Sequence, residues 1–236
     1  LPGTGEKLIG KFAMATFTHP HPFDPTYGYS AQALLAIGAP EGEPSDFDAF
    51  WRQTHERSRA CPLALTRKPF DSLNKAFSAE IWSWDSPGNA FFEDSPAVKG
   101  PATHRIGAWL TLPRLGEPEA LIVVGHGYGG REAPDYAYPK AAALHVCMPG
   151  FKLSAAAGLP NTSDAHVIHG IQSREGYLLR SCAAAMWSAA TALLEAYPAL
   201  SDRLYYEGGS FGGGMGALML AWDDRFKRAV LCVPTF

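Results

Sequence analysis

The chain has 236 residues, 47% hydrophobic and 18% charged, with a formal net charge of -3; this is globular composition, long enough for an enzyme-sized core. Its 20 Lys and Arg residues are scattered and form no phosphate-binding stripe, so no nucleic-acid partner is expected. No apolar run approaches the roughly 18 to 20 residues of a membrane span and the start lacks a signal-peptide pattern, so no membrane partner is expected either.

Residues 1–13, "LPGTGEKLIGKFA", precede Met14 and read as a remnant of an expression vector, outside the fold. Residues 14–76 read as an N-terminal extension. Its Ala15 to Pro44 stretch is rich in Pro, Gly and His and should be mostly irregular, draped over the surface. In "SDFDAFWRQTHERSRA", Ser45 or Asp46 can cap a helix whose Phe47, Phe50 and Trp51 recur at helical spacing, giving an aromatic docking face.

Residues 77–236 read as one α/β core. "KAFSAEIWSW" and "HRIGAWLTLP" are antiparallel strand candidates separated by a long loop. From there the pattern alternates strand, loop and helix. "EALIVVG" and "AALHVCMP" are continuous apolar runs of strand length, as in strands buried on both faces. The segment Arg174 to Tyr197 keeps helical periodicity through Leu178, Cys182, Met186, Ala189 and Leu193 until Pro198 stops it. "RLYYEG" predicts a strand, "FGGGMGALMLAW" a helix and "KRAVLCVP" a further buried strand. The expected architecture is a mainly parallel sheet with helices on both faces. The cysteines Cys61, Cys147, Cys182 and Cys232 form no Cys-x-x-Cys pair. Three lie in apolar contexts and read as core thiols of a cytoplasmic protein, which argues against a structural zinc or redox site.

Chemistry concentrates at Gly208-Gly209-Ser210-Phe211-Gly212, a Gly-x-Ser-x-Gly run set between a predicted strand and a predicted helix. This is the form of the nucleophile elbow of α/β-hydrolases. Gly208 and Gly212 leave room for the tight turn, Ser210 projects from its tip, and the Phe211 N–H at the helix start becomes a candidate oxyanion donor. A second glycine-rich loop, His126-Gly127-Tyr128-Gly129-Gly130, follows the strand Ala120 to Gly125 and has the form of the partner oxyanion loop, with the Tyr128 N–H as second donor. His126 at the strand tip reads as a loop-stabilising residue.

"GGSFGGGMGALMLAWDDRFKRAVLCVP", "HGYGGREAPDYAYP", "DFDAFWRQT" and "HGIQSREGYLLRSCAAAMWSAATAL" together resemble the acetyl xylan esterase and cephalosporin C deacetylase family, from about Asp46 to Phe236. The resemblance implies a single-domain α/β-hydrolase that removes acetyl groups from sugars and small esters through an acyl-enzyme at Ser210, without a cofactor or metal, and with Tyr128 as a backbone oxyanion donor. Two departures stand out. The family's Gln after the serine is Phe211 here, and its Arg-Gly-Gln motif is replaced by "MPGFKLS", Met148 to Ser154. The family's Arg is also His169, and His166 and His169 read as structural loop residues near the site mouth.

The fold order is nucleophile, then acid, then His, each on a later strand end. None of the eight histidines, His19, His21, His55, His104, His126, His145, His166 and His169, follows Ser210. The expectation is therefore that the acid and base come from a C-terminal portion of about two or three further βα units, roughly 30 residues each, or from a second chain. The expected partners are a small ester substrate and that missing portion; a homo-oligomer stays open. Two other readings also stay open: another acyl hydrolase or peptidase, and a non-catalytic relative that binds a ligand or partner.

Overall fold

The computed structural model describes residues 22–24, 26–39, 41–92 and 101–235; segment 1–13, His19 and His21 lie outside them. The chain divides into two compact units, 1–44 and 45–236. In the first, helix α1 (Ala31–Leu35) is capped by the Ser30 hydroxyl, which accepts from the Ala33 N–H at 3.1 Å. No helix among the described residues is long and apolar enough to cross a membrane.

The second unit is built on seven strands: β1 (Thr66–Phe70), β2 (Phe77–Pro87), β3 (Thr103–Pro113), β4 (Ala120–Gly125), β5 (Ala141–Val146), β6 (Leu204–Gly209) and β7 (Phe226–Cys232). Their spatial order is β1-β2-β3-β5-β4-β6-β7. The pairs β1–β2, β2–β3 and β3–β5 are antiparallel, and β5–β4, β4–β6 and β6–β7 are parallel. All strands but β1 and β3 therefore run one way, a mainly parallel sheet with an antiparallel start. From β4 the chain steps to β5 on one side and later to β6 on the other. The loops leaving β4 and β6 thus open side by side at the carboxyl edge, the switch point where open α/β sheets hold ligands.

The helices of this unit are α2 (Phe47–Ala60), α3 (Ser163–Val167), α4 (Leu178–Ala196) and α5 (Phe211–Leu220). α4 is apolar nearly all round because it is enclosed: Ala183, Ala184, Ala185, Met186 and Trp187 are all 0% exposed. Its Trp187 indole N–H donates to the Met219 carbonyl of α5 at 3.1 Å, and the Trp84 indole of β2 donates to Ser188 at 2.9 Å. α2 docks on α4 through Trp51, edge-on to Trp187 at 6.4 Å, while Phe47, 37% exposed, packs against Trp222 at 6.1 Å. Truncating one of these buried tryptophans would cost about 3–5 kcal/mol.

Several expectations change. Asp46 is the N-cap of α2 but makes no side-chain cap bond; its carboxylate instead accepts from Arg174 at 2.6 Å, which fastens the turn before α4. α4 starts at Leu178 rather than Arg174, because Gly170 to Gly176 forms turns, with the Gly176 N–H held by Ser173 Oγ at 2.9 Å. β1, Thr66–Phe70, is a strand that the sequence pattern does not signal: it carries Arg67, Lys68 and Pro69, the charges and proline an edge strand uses.

The sequence pattern predicts a buried β7, yet Lys227 to Val230 are exposed, since among the described residues β7 pairs with β6 alone. α4 and α5 lie on the sheet face presented by Leu121, Val123, Leu204 and Tyr206. The opposite face is covered in part by the 131–139 segment, through Tyr136 against Phe77 and Tyr138 beside His145. Over β6 and β7 it is open, where Ile122, Tyr205, Glu207, Arg228 and Val230 line a groove of 300 Å³. Helices on that second face, expected from the pattern, are not among the described residues.

Candidate active site

Ser210 sits between β6 and α5 with φ +51° and ψ -117°. For a residue with a Cβ this conformation costs on the order of 1–3 kcal/mol and persists only where its surroundings enforce it. Three main-chain bonds do so: the Ser210 N–H donates to Cys232 O at 2.9 Å, and Ser210 O accepts from Gly214 N–H at 3.0 Å and Thr235 N–H at 3.1 Å. The turn also excludes side chains at its flanks. A Cβ on Gly208 would lie 2.5 Å from the Gly212 carbonyl, and one on Gly212 would lie 2.8 Å from the Gly125 carbonyl carbon. Backbone packs directly on backbone there, which only glycine allows.

Gly125, at the tip of β4, pairs with Gly208 of β6, so the second glycine loop leaves beside the elbow. Gly127 to Gly130 forms a turn closed by the Gly130 N–H to Gly127 O bond at 3.0 Å, with Gly130 at φ +73° and Gly129 facing open space. A Cβ on Gly127 would be 3.6 Å from Ser210 Cβ, so the loop passes within about a methyl group of the serine. The structure thus brings Ser210, Gly208, Gly212, Gly127, Tyr128 and Phe211 together. The N–H groups of Tyr128 and Phe211 have no acceptor among the described residues. The Phe211 N–H also opens the ten-residue helix α5, whose dipole favours negative charge there.

His126 secures the loop. Its Nε2 accepts from the Met148 N–H at 3.0 Å, which leaves the proton on Nδ1 to donate to Gly127 O at 2.7 Å. Burial pushes its pKa down to about 4. Neutral and engaged at both nitrogens, it pins the glycine loop to the end of β5. His166, in α3, is 0% exposed and bonds Pro149 O through Nε2 at 2.9 Å. Its ring lies 4.9 Å from Phe151 and 5.6 Å from Phe211. The two departures from the family pattern, Phe211 and the "MPGFKLS" segment with its Phe151, therefore meet in space, on either side of one histidine.

The Ser210 hydroxyl makes a hydrogen bond with Thr235 Oγ1 at 3.2 Å and with no histidine among the described residues. His145 is buried in β5 against Thr111 at 3.1 Å, with burial pushing its pKa down to about 3. His55 lies 3.7 Å from the Asp223 carboxylate beside Trp187, away from the elbow. The sequence pattern gave no hint of Thr235. It reaches the serine only because the segment after β7 folds back on the elbow, a tertiary contact without a local signature. No three His, Cys, Asp or Glu side chains among the described residues group as metal ligands would.

The strand order, the switch between β4 and β6, and the strand-serine-helix turn at Ser210 define an α/β-hydrolase fold. The sequence model of the acetyl xylan esterase family matches residues 34–236, and the chain belongs to that family. Acetyl xylan esterase 1 from Thermoanaerobacterium sp. JW/SL YS485 is similar in structure, with a TM-score of 0.69 at 18% identity over 88% of this chain and 64% of that one. The acetyl xylan esterase from Paenibacillus sp. R4 is similar at a TM-score of 0.64 and 22% identity, over 88% of this chain and 65% of the other. The chain thus spans under two thirds of the length of either structure. No curated protein matches it.

Proposed function

We propose that this chain carries the nucleophile and oxyanion hole of a serine esterase that removes acetyl or other short acyl groups from carbohydrates or small esters. The observation that carries the reading is the enforced backbone of Ser210, φ +51° at a strand-helix junction, set against a glycine loop whose Tyr128 N–H has no acceptor among the described residues. Membership of the acetyl xylan esterase family supports the ester as substrate.

In this reading, Ser210 Oγ attacks the ester carbonyl while a base takes its proton. The tetrahedral oxyanion is met by the Tyr128 and Phe211 N–H groups, worth about 10²–10³ in kcat per donor. Collapse breaks the carbon–oxygen bond to the alcohol, which leaves with the proton from the base. Water then attacks the acyl-serine by the same route, freeing the carboxylate and Ser210.

The base and its orienting acid are proposed to come from polypeptide outside these 236 residues, either a C-terminal continuation or a second chain. The Thr235-bonded serine and the exposed outer edge of β7 support this. Steady-state assays of the full-length protein test the function: hydrolysis of p-nitrophenyl acetate and acetylated xylan, lost in Ser210→Ala, is expected. Cleavage of peptide amides in preference to esters would assign a peptidase. Absence of both activities would leave a binding protein.

A further inference from the structure

The two proposed oxyanion donors sit on separate loops, and no main-chain hydrogen bond joins them. Their side chains nevertheless meet: the rings of Tyr128 and Phe211 stack with centroids 4.0 Å apart and planes within 12°. Phe211 is 1% exposed. His166 meets both rings edge-on, at 5.8 Å from Tyr128 and 5.6 Å from Phe211, with interplanar angles of 71° and 75°. Phe151 backs His166, and the His166 ring is tied to Pro149 O. Close-packed rings wedged from the side have few alternative arrangements, so the stack restrains the two Cα positions from which the donor N–H groups project.

Oxyanion stabilisation depends on donors preset about 2.7–3.1 Å from the developing charge. We propose that the Tyr128–Phe211 stack, wedged by His166, is a positioning device that sets the separation of the two main-chain donors and so governs turnover while its rings touch no reacting atom. The inference rests on the serine-esterase reading of Ser210. It explains how a bulky aromatic serves directly after the nucleophile: a ring buried against Tyr128 of the neighbouring loop braces the donor it is attached to.

The test is steady-state hydrolysis of p-nitrophenyl acetate by the full-length protein, with circular dichroism showing each variant folded at the assay temperature. Phe211→Leu removes the stack but keeps an apolar side chain; kcat should fall about 10–100-fold, with KM within about twofold, because the lost interaction is specific to the transition state. Phe211→Tyr, which can still stack, should recover most of the turnover lost in Phe211→Leu. Tyr128→Leu should cost about as much as Phe211→Leu, and the double variant little more than either, since one contact is removed from both sides. Tyr128 is only partly buried, so its variant carries the test if Phe211→Leu does not fold. Unchanged kcat in the leucine variants, a loss confined to KM, or single losses that multiply in the double variant would overturn the proposal while the wild type stays active. A wild type that hydrolyses no ester would overturn the esterase reading and this inference with it.

Discussion

The Tyr206 hydroxyl donates to the Gly212 carbonyl oxygen at 2.6 Å, joining the strand that enters the elbow to the helix that leaves it. Tyr206 is 1% exposed, and burial pushes its phenol pKa up, so the group stays a neutral donor. Tyr206→Phe keeps the ring and removes only this bond. Stability should drop by about 1 kcal/mol, read as a lower urea midpoint at unchanged slope. An unchanged midpoint would mean the bond contributes nothing to holding the elbow.

Gly212→Ala tests the packing of the elbow on the glycine loop that follows β4. Its Cβ would meet main-chain atoms of Gly125 and His126 at 2.8–3.0 Å, and backbone cannot swing aside as a side-chain tip can. The expected cost is about 1–3 kcal/mol, with ester turnover falling as the two loops separate. Wild-type melting and turnover in this variant would show that the loops have slack.

The fold was legible wherever it rests on local pattern. Apolar runs of strand length gave β4, β5 and β6; the periodicity through Leu178, Cys182 and Met186 gave α4; and the glycines around Ser210 gave the elbow. Features set by partners distant in sequence were not legible. Arg67, Lys68 and Pro69 look like loop, and form a strand only because β2 offers an unpaired edge. "KRAVLCVP" looks buried, yet its exposure depends on what lies beside β7, which no local pattern encodes. Asp46 has the chemistry of a cap, and Arg174, 128 residues away, takes it instead. At the site, Ser210 and both glycine loops could be read from spacing, but the Tyr128–Phe211 stack and the Thr235 contact are products of tertiary folding.

Acid should weaken the fold through its buried histidines. The His126 pKa is pushed from 6.5 to about 4, and those of His104 and His145 to about 4 and about 3, in each case mainly by burial. The unfolded chain therefore binds more protons in this window. The stabilisation is complete above pH 6.5 and is lost as pH falls through the folded values. His126 alone accounts for about 3 kcal/mol between pH 6.5 and 4, at about 1.4 kcal/mol per unit. Urea midpoints measured from pH 7 to pH 4 should decline, and less steeply in His126→Gln. A midpoint that holds or rises toward pH 4 would contradict the assignment of His126 as a buried neutral group.

Asp223 is 3% exposed and accepts from the Arg225 main-chain N–H and from Nε and Nη2 of its guanidinium, which also reaches Thr191 and the Trp187 carbonyl of α4. Arg225 and His55 hold the Asp223 carboxyl well below the usual carboxylate range despite its burial. Asp223→Asn leaves the Arg225 charge without its partner and should destabilise by about 3–5 kcal/mol. A loss below about 1 kcal/mol, the level of a surface pair, would show that solvent reaches the cluster.

The central claim is that Ser210 is an activated nucleophile. A fluorophosphonate reports this directly: an activated serine oxygen bonds to phosphorus as fluoride departs, leaving an adduct that peptide mass spectrometry can place. The account predicts that the full-length protein is labelled at Ser210 and that Ser210→Ala is not labelled at all. A wild-type protein that takes up no label, or a label that persists at another residue in Ser210→Ala, would contradict it.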